Sequence, residues 1–218
     1  MHFISIIDYG SGNLKSVLNA FSNILSKKSV VKITSSQDDI KKSSHIVLPG
    51  VGSFESCING LKKSKMIECI EDNVLIKKKP FLGICVGMQM LAKKGFENGS
   101  FSGLGWIDGN VKKIDTKNKN LKIPHMGWND LEIKNKNSFL ELFLRKTKQK
   151  NREFCAYFVH SYNYNLEDPN NLILSTKYGQ EITAMIAKNN IIGTQFHPEK
   201  SHTFGLEFLK TFVEWKGN

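Results

Sequence analysis

The chain predicts an α/β fold, a doubly wound and mainly parallel sheet with flanking helices and added β segments. Three observations predict it. Short apolar runs of strand length recur ahead of glycine- or proline-containing turns. Amphipathic helical stripes follow the early runs, whereas β patterning dominates the second half. With 218 residues and 40% hydrophobic content, the chain is long enough to bury the core of one large domain, expected over residues 1–218.

Taken in order, Phe3-Ile4-Ser5-Ile6-Ile7 reads as a buried first strand closed by Asp8-Tyr9-Gly10-Ser11-Gly12-Asn13. A helix follows with Leu14, Val17, Leu18, Phe21, Ile24 and Leu25 on one stripe. The loop lacks the third glycine of a dinucleotide fingerprint and the Gly-Lys-Ser/Thr of a triphosphate loop, so no nucleotide site is expected. Val30-Val31-Lys32-Ile33-Thr34 is a second strand and His45-Ile46-Val47-Leu48 a third, entering Pro49-Gly50-Val51-Gly52. Helices at about 53–62 and 65–77 then lead into Phe81-Leu82-Gly83-Ile84, a central strand. Gly103-Leu104-Gly105-Trp106-Ile107 and Val111-Lys112-Lys113-Ile114 read as β segments, with a polar turn at 117–120. Ser138 is placed to cap a helix carrying Phe139, Leu140, Leu142, Phe143 and Leu144, which runs out in a solvated stretch at 146–152. Phe154 to Val159 is a buried strand, with Cys155 read as core. Strands at about 172–177, 182–187 and 190–196 precede a last helix at about 203–215.

The chemistry concentrates where the central strand turns into a helix. Gly83-Ile84-Cys85-Val86-Gly87 is the cysteine form of a nucleophile elbow, in which glycines make room for a strained residue at a tight strand-to-helix turn. A cysteine in an apolar run is by rule a core residue, and the glycine frame is what sets Cys85 apart. The thiolate is the nucleophile, and a helix N-terminus supplies at most ~2 kcal/mol towards it, so a base is required. Gln195-Phe196-His197-Pro198-Glu199 offers one: His197 to take the proton, Glu199 to hold the imidazole, and proline to limit how far the two drift. A second histidine, in Pro124-His125-Met126-Gly127-Trp128-Asn129, has no acid near it in sequence and reads equally as a buried, satisfied side chain.

Gly-Ile-Cys-Val-Gly-Met-Gln (83–89) together with Gln-Phe-His-Pro-Glu-Lys-Ser (195–201) resembles the class I, triad-type glutamine amidotransferases. Ile7 to Asn13, Leu48 to Gly52, Pro124 to Asn129 and Tyr157 to Tyr162 narrow the resemblance to the glutaminase subunits of imidazole glycerol phosphate synthases, across residues 7 to 201. The resemblance implies a catalytic triad of Cys85, His197 and Glu199. It implies an oxyanion hole from backbone N–H groups at Val51 or Gly52 with Val86. Gly50, Gln89, Glu97, Tyr157, His160, Ser161 and Tyr162 would hold glutamine. Asn13, Trp128 and Lys200 would face a (β/α)8-barrel synthase subunit that receives the ammonia, as a heterodimer. No metal or other cofactor is implied. Met88 stands where GMP, CTP and anthranilate amidotransferases usually carry histidine, which separates the chain from them, and Val86 replaces the common leucine.

Composition sets bounds on other readings. The formal charge of +11 invites nucleic acid, but arginine, the residue of bidentate base contacts, occurs only at 145 and 152, and the lysines are scattered in pairs such as Lys27-Lys28 and Lys62-Lys63. No run approaches the ~18 apolar residues of a membrane span, and the N-terminus has no signal-peptide pattern. Four cysteines without paired spacing fit a reducing cytoplasm. The rival readings are a paralogous glutaminase feeding another synthase, such as one for sugar amidation, and a binding module that kept the fold without the chemistry.

Overall fold

The computed structural model describes residues 2–10, 13–26, 28–116, 121–147 and 154–217. Ser11, Gly12, Lys27, the polar turn at 117–120 and residues 148–152 of the lysine-rich stretch lie outside them. The chain runs β1 (Phe3–Ile7), α1 (Leu14–Ile24), β2 (Val30–Thr34), α2 (Gln37–Lys42), β3 (His45–Gly50), α3 (Phe54–Lys63) and α4 (Ile67–Glu71), which continues as a π-helical turn, Asp72–Ile76. The elbow region comprises β4 (Phe81–Cys85), α5 (Val86–Gln89), β5 (Lys94–Gly95), β6 (Phe101–Ser102) and β7 (Gly109–Lys113). Then come β8 (His125–Asp130), β9 (Glu132–Ile133), α6 (Ser138–Thr147), β10 (Cys155–His160), β11 (Tyr162–Leu166), β12 (Leu172–Tyr178), β13 (Gln180–Lys188), β14 (Ile191–Thr194) and α7 (His202–Glu214).

The main sheet has eight strands in the order β2-β1-β3-β4-β14-β13-β12-β9. Its first five are parallel, the arrangement expected of the apolar runs, and the last three are antiparallel. A four-stranded sheet (β11-β7-β5-β6) and a two-stranded ribbon (β10-β8) supply the added β structure. β3 and β4 are buried at every residue, as parallel strands covered on both faces must be.

Aromatic side chains hold α6 and α7 to the sheet. Phe196, just past β14, is fully buried and packs edge to face on Phe204, Phe208 and Phe158 at centroid distances of 5.8, 5.5 and 6.0 Å. Phe139 and Phe143 of α6 join the same cluster through Phe208.

Several expectations are corrected. Gly103 to Ile107 is not a strand: Leu104 and Ile107 donate backbone hydrogen bonds to Met90 and Leu91, folding the segment over the elbow. Asn137, not Ser138, caps α6, its Oδ1 accepting from the Leu140 N–H at 2.9 Å, while Ser138 Oγ accepts from Trp215 Nε1. Cys155 is half-buried rather than core, because β10 alternates its burial and Cys155 falls on the more open face. The helix after the elbow is a single turn.

Buried histidines make the fold sensitive to acid. His45 starts β3, with Nε2 3.2 Å from the Trp215 carbonyl, and burial holds its pKa down at about 4 against the opposing pull of that carbonyl. Burial likewise lowers His125 to about 4 and His160 to about 3. Above pH ~6.5 both folded and unfolded chains carry these rings neutral. Below it the unfolded chain binds protons that the folded chain refuses, so each ring costs about 1.4 kcal/mol of stability per pH unit until its folded value is reached. Thermal unfolding should therefore move to lower temperature between pH 6.5 and 4.5. In His45→Gln, which can still donate to the Trp215 carbonyl but cannot titrate, that slope should be shallower; parallel slopes for the two proteins would show that His45 does not titrate in this window.

Candidate active site

The elbow is built as the glycine frame requires. Cys85 ends β4 with φ 55° and ψ −113°, a strained conformation for a residue with a Cβ. It persists because the turn is over-determined: a Cβ on Gly87 would collide with the Leu48 carbonyl oxygen, and one on Gly83 would meet the Gly87 carbonyl oxygen at 2.7 Å. Gly50 pairs with Cys85 across β3 and β4, lies against the Val86-Gly87 backbone and is not among the residues that line the cleft.

Parallel pairing of β14 with β4 brings the second half of the site alongside. The register ends at Thr194 opposite Ile84, so Gln195 follows beside Cys85 and His197 lies just beyond. Phe196 anchors this segment in the aromatic cluster. The His197 N–H donates to the Tyr157 carbonyl at 2.9 Å, and its own carbonyl accepts from Ser201 Oγ at 2.7 Å. The ring is fixed by Glu199, whose Oε1 is 2.8 Å from Nδ1, both side chains being almost wholly buried. Since the carboxylate can only accept, the proton sits on Nδ1, and Nε2 has no hydrogen-bond partner among the described residues. Burial is the largest influence on this ring and disfavours its cation. The negative charge available on Cys85 and the contact with Glu199 outweigh it, so that the imidazolium is held above its ordinary range.

Cys85, His197 and most of the other expected residues border one cleft of about 290 Å³. Val51, Gly52 and Val86 line it, as do Gln89, Glu97, His160, Ser161 and Tyr162, and so do Asn13 and Lys200. Pro124 and Val159 line it too, and no local pattern singles either of them out. Cys85 is buried, at 5% exposure, and is one of the residues lining this cleft. A larger cavity, about 470 Å³, lies across Val51 and contains Cys57 but no histidine. Among the described residues no cluster of His, Cys, Asp or Glu could hold a metal ion, and no helix is long and apolar enough to cross a membrane.

Some side chains are engaged in ways their sequence context does not suggest. Glu97 Oε2 accepts from the Phe54 N–H at 2.6 Å, helping to start α3. Tyr157 does not line the cleft; its ring packs edge-on to Trp128 and lies under Lys200 Nζ, and Trp128, 47% exposed, stacks on His202. His160 Nδ1 donates to the Tyr162 carbonyl at 2.9 Å, so its Nε2 must accept from His125 Nδ1, also at 2.9 Å. His160 therefore has no free nitrogen for a ligand. His125 resolves as the buried, satisfied histidine, with Asn129 at its other nitrogen. Asn13 Nδ2 reaches Glu199 Oε1 at 3.3 Å, a link across 186 positions that no local pattern announces.

The arrangement of a strained thiol, a carboxylate-held imidazole and a shared cleft suits attack on a carboxamide or ester carbonyl. Residues 5–215 match the family model described as Glutamine amidotransferase class-I. The chain belongs to that family. Within it, the chain is 44% identical over 214 residues to the imidazole glycerol phosphate synthase subunit HisH of Zymomonas mobilis, covering 97% of this chain and 95% of that protein. It is 40% identical over 211 residues to the HisH subunit of Pelagibacter ubique, covering 96% and 98%. The likeness read from the sequence motifs is thus borne out. Among solved structures, one titled as a glutamine amidotransferase superposes with a TM-score of 0.68 over 99% of both chains at 15% identity. A glutamine amidotransferase from Thermotoga maritima gives 0.57 at 18% identity, over 98% of this chain and 81% of that one. At such identities these two speak for the fold, which is that of class-I glutamine amidotransferases.

The glycine frame can be tested directly. Gly87→Ala should lower stability by about 3 kcal/mol, the upper range for overpacking, because its methyl would meet backbone that cannot move away. Urea unfolding would measure it; a loss below ~0.5 kcal/mol would mean that the elbow has room to relax around the added methyl.

Proposed function

We propose that this glutamine amidotransferase is the glutaminase subunit of an imidazole glycerol phosphate synthase in histidine biosynthesis, a single domain over residues 1–218 working in the cytoplasm. The observation that carries the chemistry is the meeting of strained Cys85 with the Glu199-bound imidazole of His197 in one cleft. The assignment of the synthase rests on near full-length identity of about 40% to HisH subunits.

In this reading glutamine enters with its side-chain amide over Cys85, held by Gln89, Glu97, Ser161 and Tyr162. The thiol proton passes to His197 Nε2 and the sulfur attacks the amide carbon. N–H groups of Val51 or Gly52 and of Val86 receive the oxyanion, each such donor being worth about 2.7–4 kcal/mol in comparable hydrolases. His197 then protonates the leaving nitrogen, ammonia departs, and a γ-glutamyl thioester remains. Water, deprotonated by His197, attacks the thioester; glutamate leaves and the thiol is restored. Ammonia passes to a (β/α)8-barrel subunit of the HisF type, in contact with Asn13, Trp128 and Lys200. There it completes imidazole glycerol phosphate, with release of an aminoimidazole carboxamide ribonucleotide.

Co-purification of the native complex would identify the partner. In that complex, Cys85→Ala should reduce glutamine-dependent product formation at least ~10³-fold, while formation from ammonium salts stays within about twofold of wild type. Loss of both activities, or survival of the glutamine-dependent one, would contradict the division of labour. A barrel partner acting on a sugar nucleotide would point instead to the paralogue.

A further inference from the structure

Gln195 belongs to a motif read for its histidine and glutamate, yet its own side chain is fully buried between two residues of the cleft. Its Nε2 donates to Cys85 Sγ at 3.6 Å, and its Oε1 accepts from Gln89 Nε2 at 2.9 Å. The amide orientations are mutually fixed. Gln89 Nε2 also donates to the Tyr162 carbonyl at 3.3 Å, so both groups around it are acceptors, and the nitrogen assignment is the one that satisfies them. Among the described residues Gln89 Oε1 is thereby left without a hydrogen-bond partner, on a residue that lines the cleft.

The need for such a residue follows from the elbow. α5 is one turn long, so the aligned peptide dipoles that a long helix would direct at the sulfur are largely missing. Burial also removes the water that would otherwise solvate a thiolate. A neutral N–H donor on the sulfur favours the charged form without competing for the proton that His197 must carry.

We infer that Gln195 is a further catalytic residue: its amide N–H stabilises the Cys85 thiolate, and its carbonyl orients Gln89 to receive the substrate. The inference rests on the glutaminase reading for the identity of that substrate, but not for the donor on the sulfur. Two substitutions separate the roles. Gln195→Leu removes both hydrogen bonds, whereas Gln195→Glu keeps an acceptor for Gln89 and loses the donor.

The test uses the full chain, with iodoacetamide as the probe and peptide mass mapping to follow Cys85 apart from the other three cysteines. In Gln195→Leu the alkylation rate at pH 7 should fall about 10-fold, as loss of one hydrogen bond to a charged group predicts, and in Gln195→Glu at least as far, because its carboxylate also repels the thiolate; both should recover at higher pH. The glutamine concentration that half-protects Cys85 should rise at least about fivefold in Gln195→Leu and stay near wild type in Gln195→Glu. Circular dichroism before each measurement establishes that the variants fold; should the leucine variant fail, Gln195→Met takes its place. Wild-type alkylation rates and pH dependence in the variants would overturn the donor role, and unchanged protection in the folded leucine or methionine variant would overturn the orienting role. Failure of glutamine to protect even wild-type Cys85 would count against the glutaminase reading instead, while the pH dependence, read without glutamine, still decides the donor role.

Discussion

The site depends on the pairing of β4 with a parallel neighbour on each side. Gly50 lies across from Cys85 on one flank, and Thr194 across from Ile84 on the other. Three segments, separated by tens of residues, therefore end at the same level of the sheet. In an open parallel sheet that level is where side chains leave the core and a crevice forms. The backbone hydrogen bonds that fix this register also fix which residue is beside the sulfur. A slip of one residue in β14 would turn Gln195 and His197 to the opposite face and bring Phe196 in their place. Phe196 prevents it, because withdrawing that ring would empty the aromatic cluster between the sheet and α7, at a cost of about 3–5 kcal/mol for a phenylalanine's worth of core.

Within this frame the polar groups are few and nearly all committed. Glu199 gives one oxygen to His197 and Asn13, and its other oxygen is buried without a partner among the described residues. Such a carboxylate would be costly alone. It is tolerable here because a neighbouring imidazole can carry the compensating charge, which makes the acid and the base a single unit rather than two residues. The His125–His160 pair follows the opposite logic. Burial keeps both rings neutral, and their tautomers are set by the Tyr162 carbonyl.

Those parts of the molecule that the sequence made legible are the ones set by local pattern. The elbow announced itself through Gly83 and Gly87, and the parallel strands through their apolar runs. α2 went unread because Gln37–Lys42 has a single apolar residue, Ile40, and so no period to detect. β8 and β11 were hidden in stretches noticed for their histidines and tyrosines, since Tyr162–Leu166 alternates with asparagines rather than with charges. Gly103 to Ile107 had the composition of a strand but no partner to pair with. The contacts of Gln195, Asn13 and Glu97 lay beyond reach for another reason: each is made across at least 43 positions, and depends on a register that no stretch of sequence encodes alone.

The exposed aromatic patch is tied to the same machinery. Trp128 on β8 pairs directly with Tyr157 on β10, and the Tyr157 carbonyl receives the His197 N–H. Ser201 closes the loop by accepting from the Tyr157 N–H and donating to the His197 carbonyl, while the next residue, His202, stacks its ring on Trp128 at an interplanar angle of 3°. Trp128 is thus connected, by strand pairing through Tyr157 and by stacking through His202, to the hydrogen bonds that hold the backbone of His197. Because packed contacts of this kind deform little before they rearrange, these contacts brace the backbone of His197 from the side of the sheet that carries Trp128.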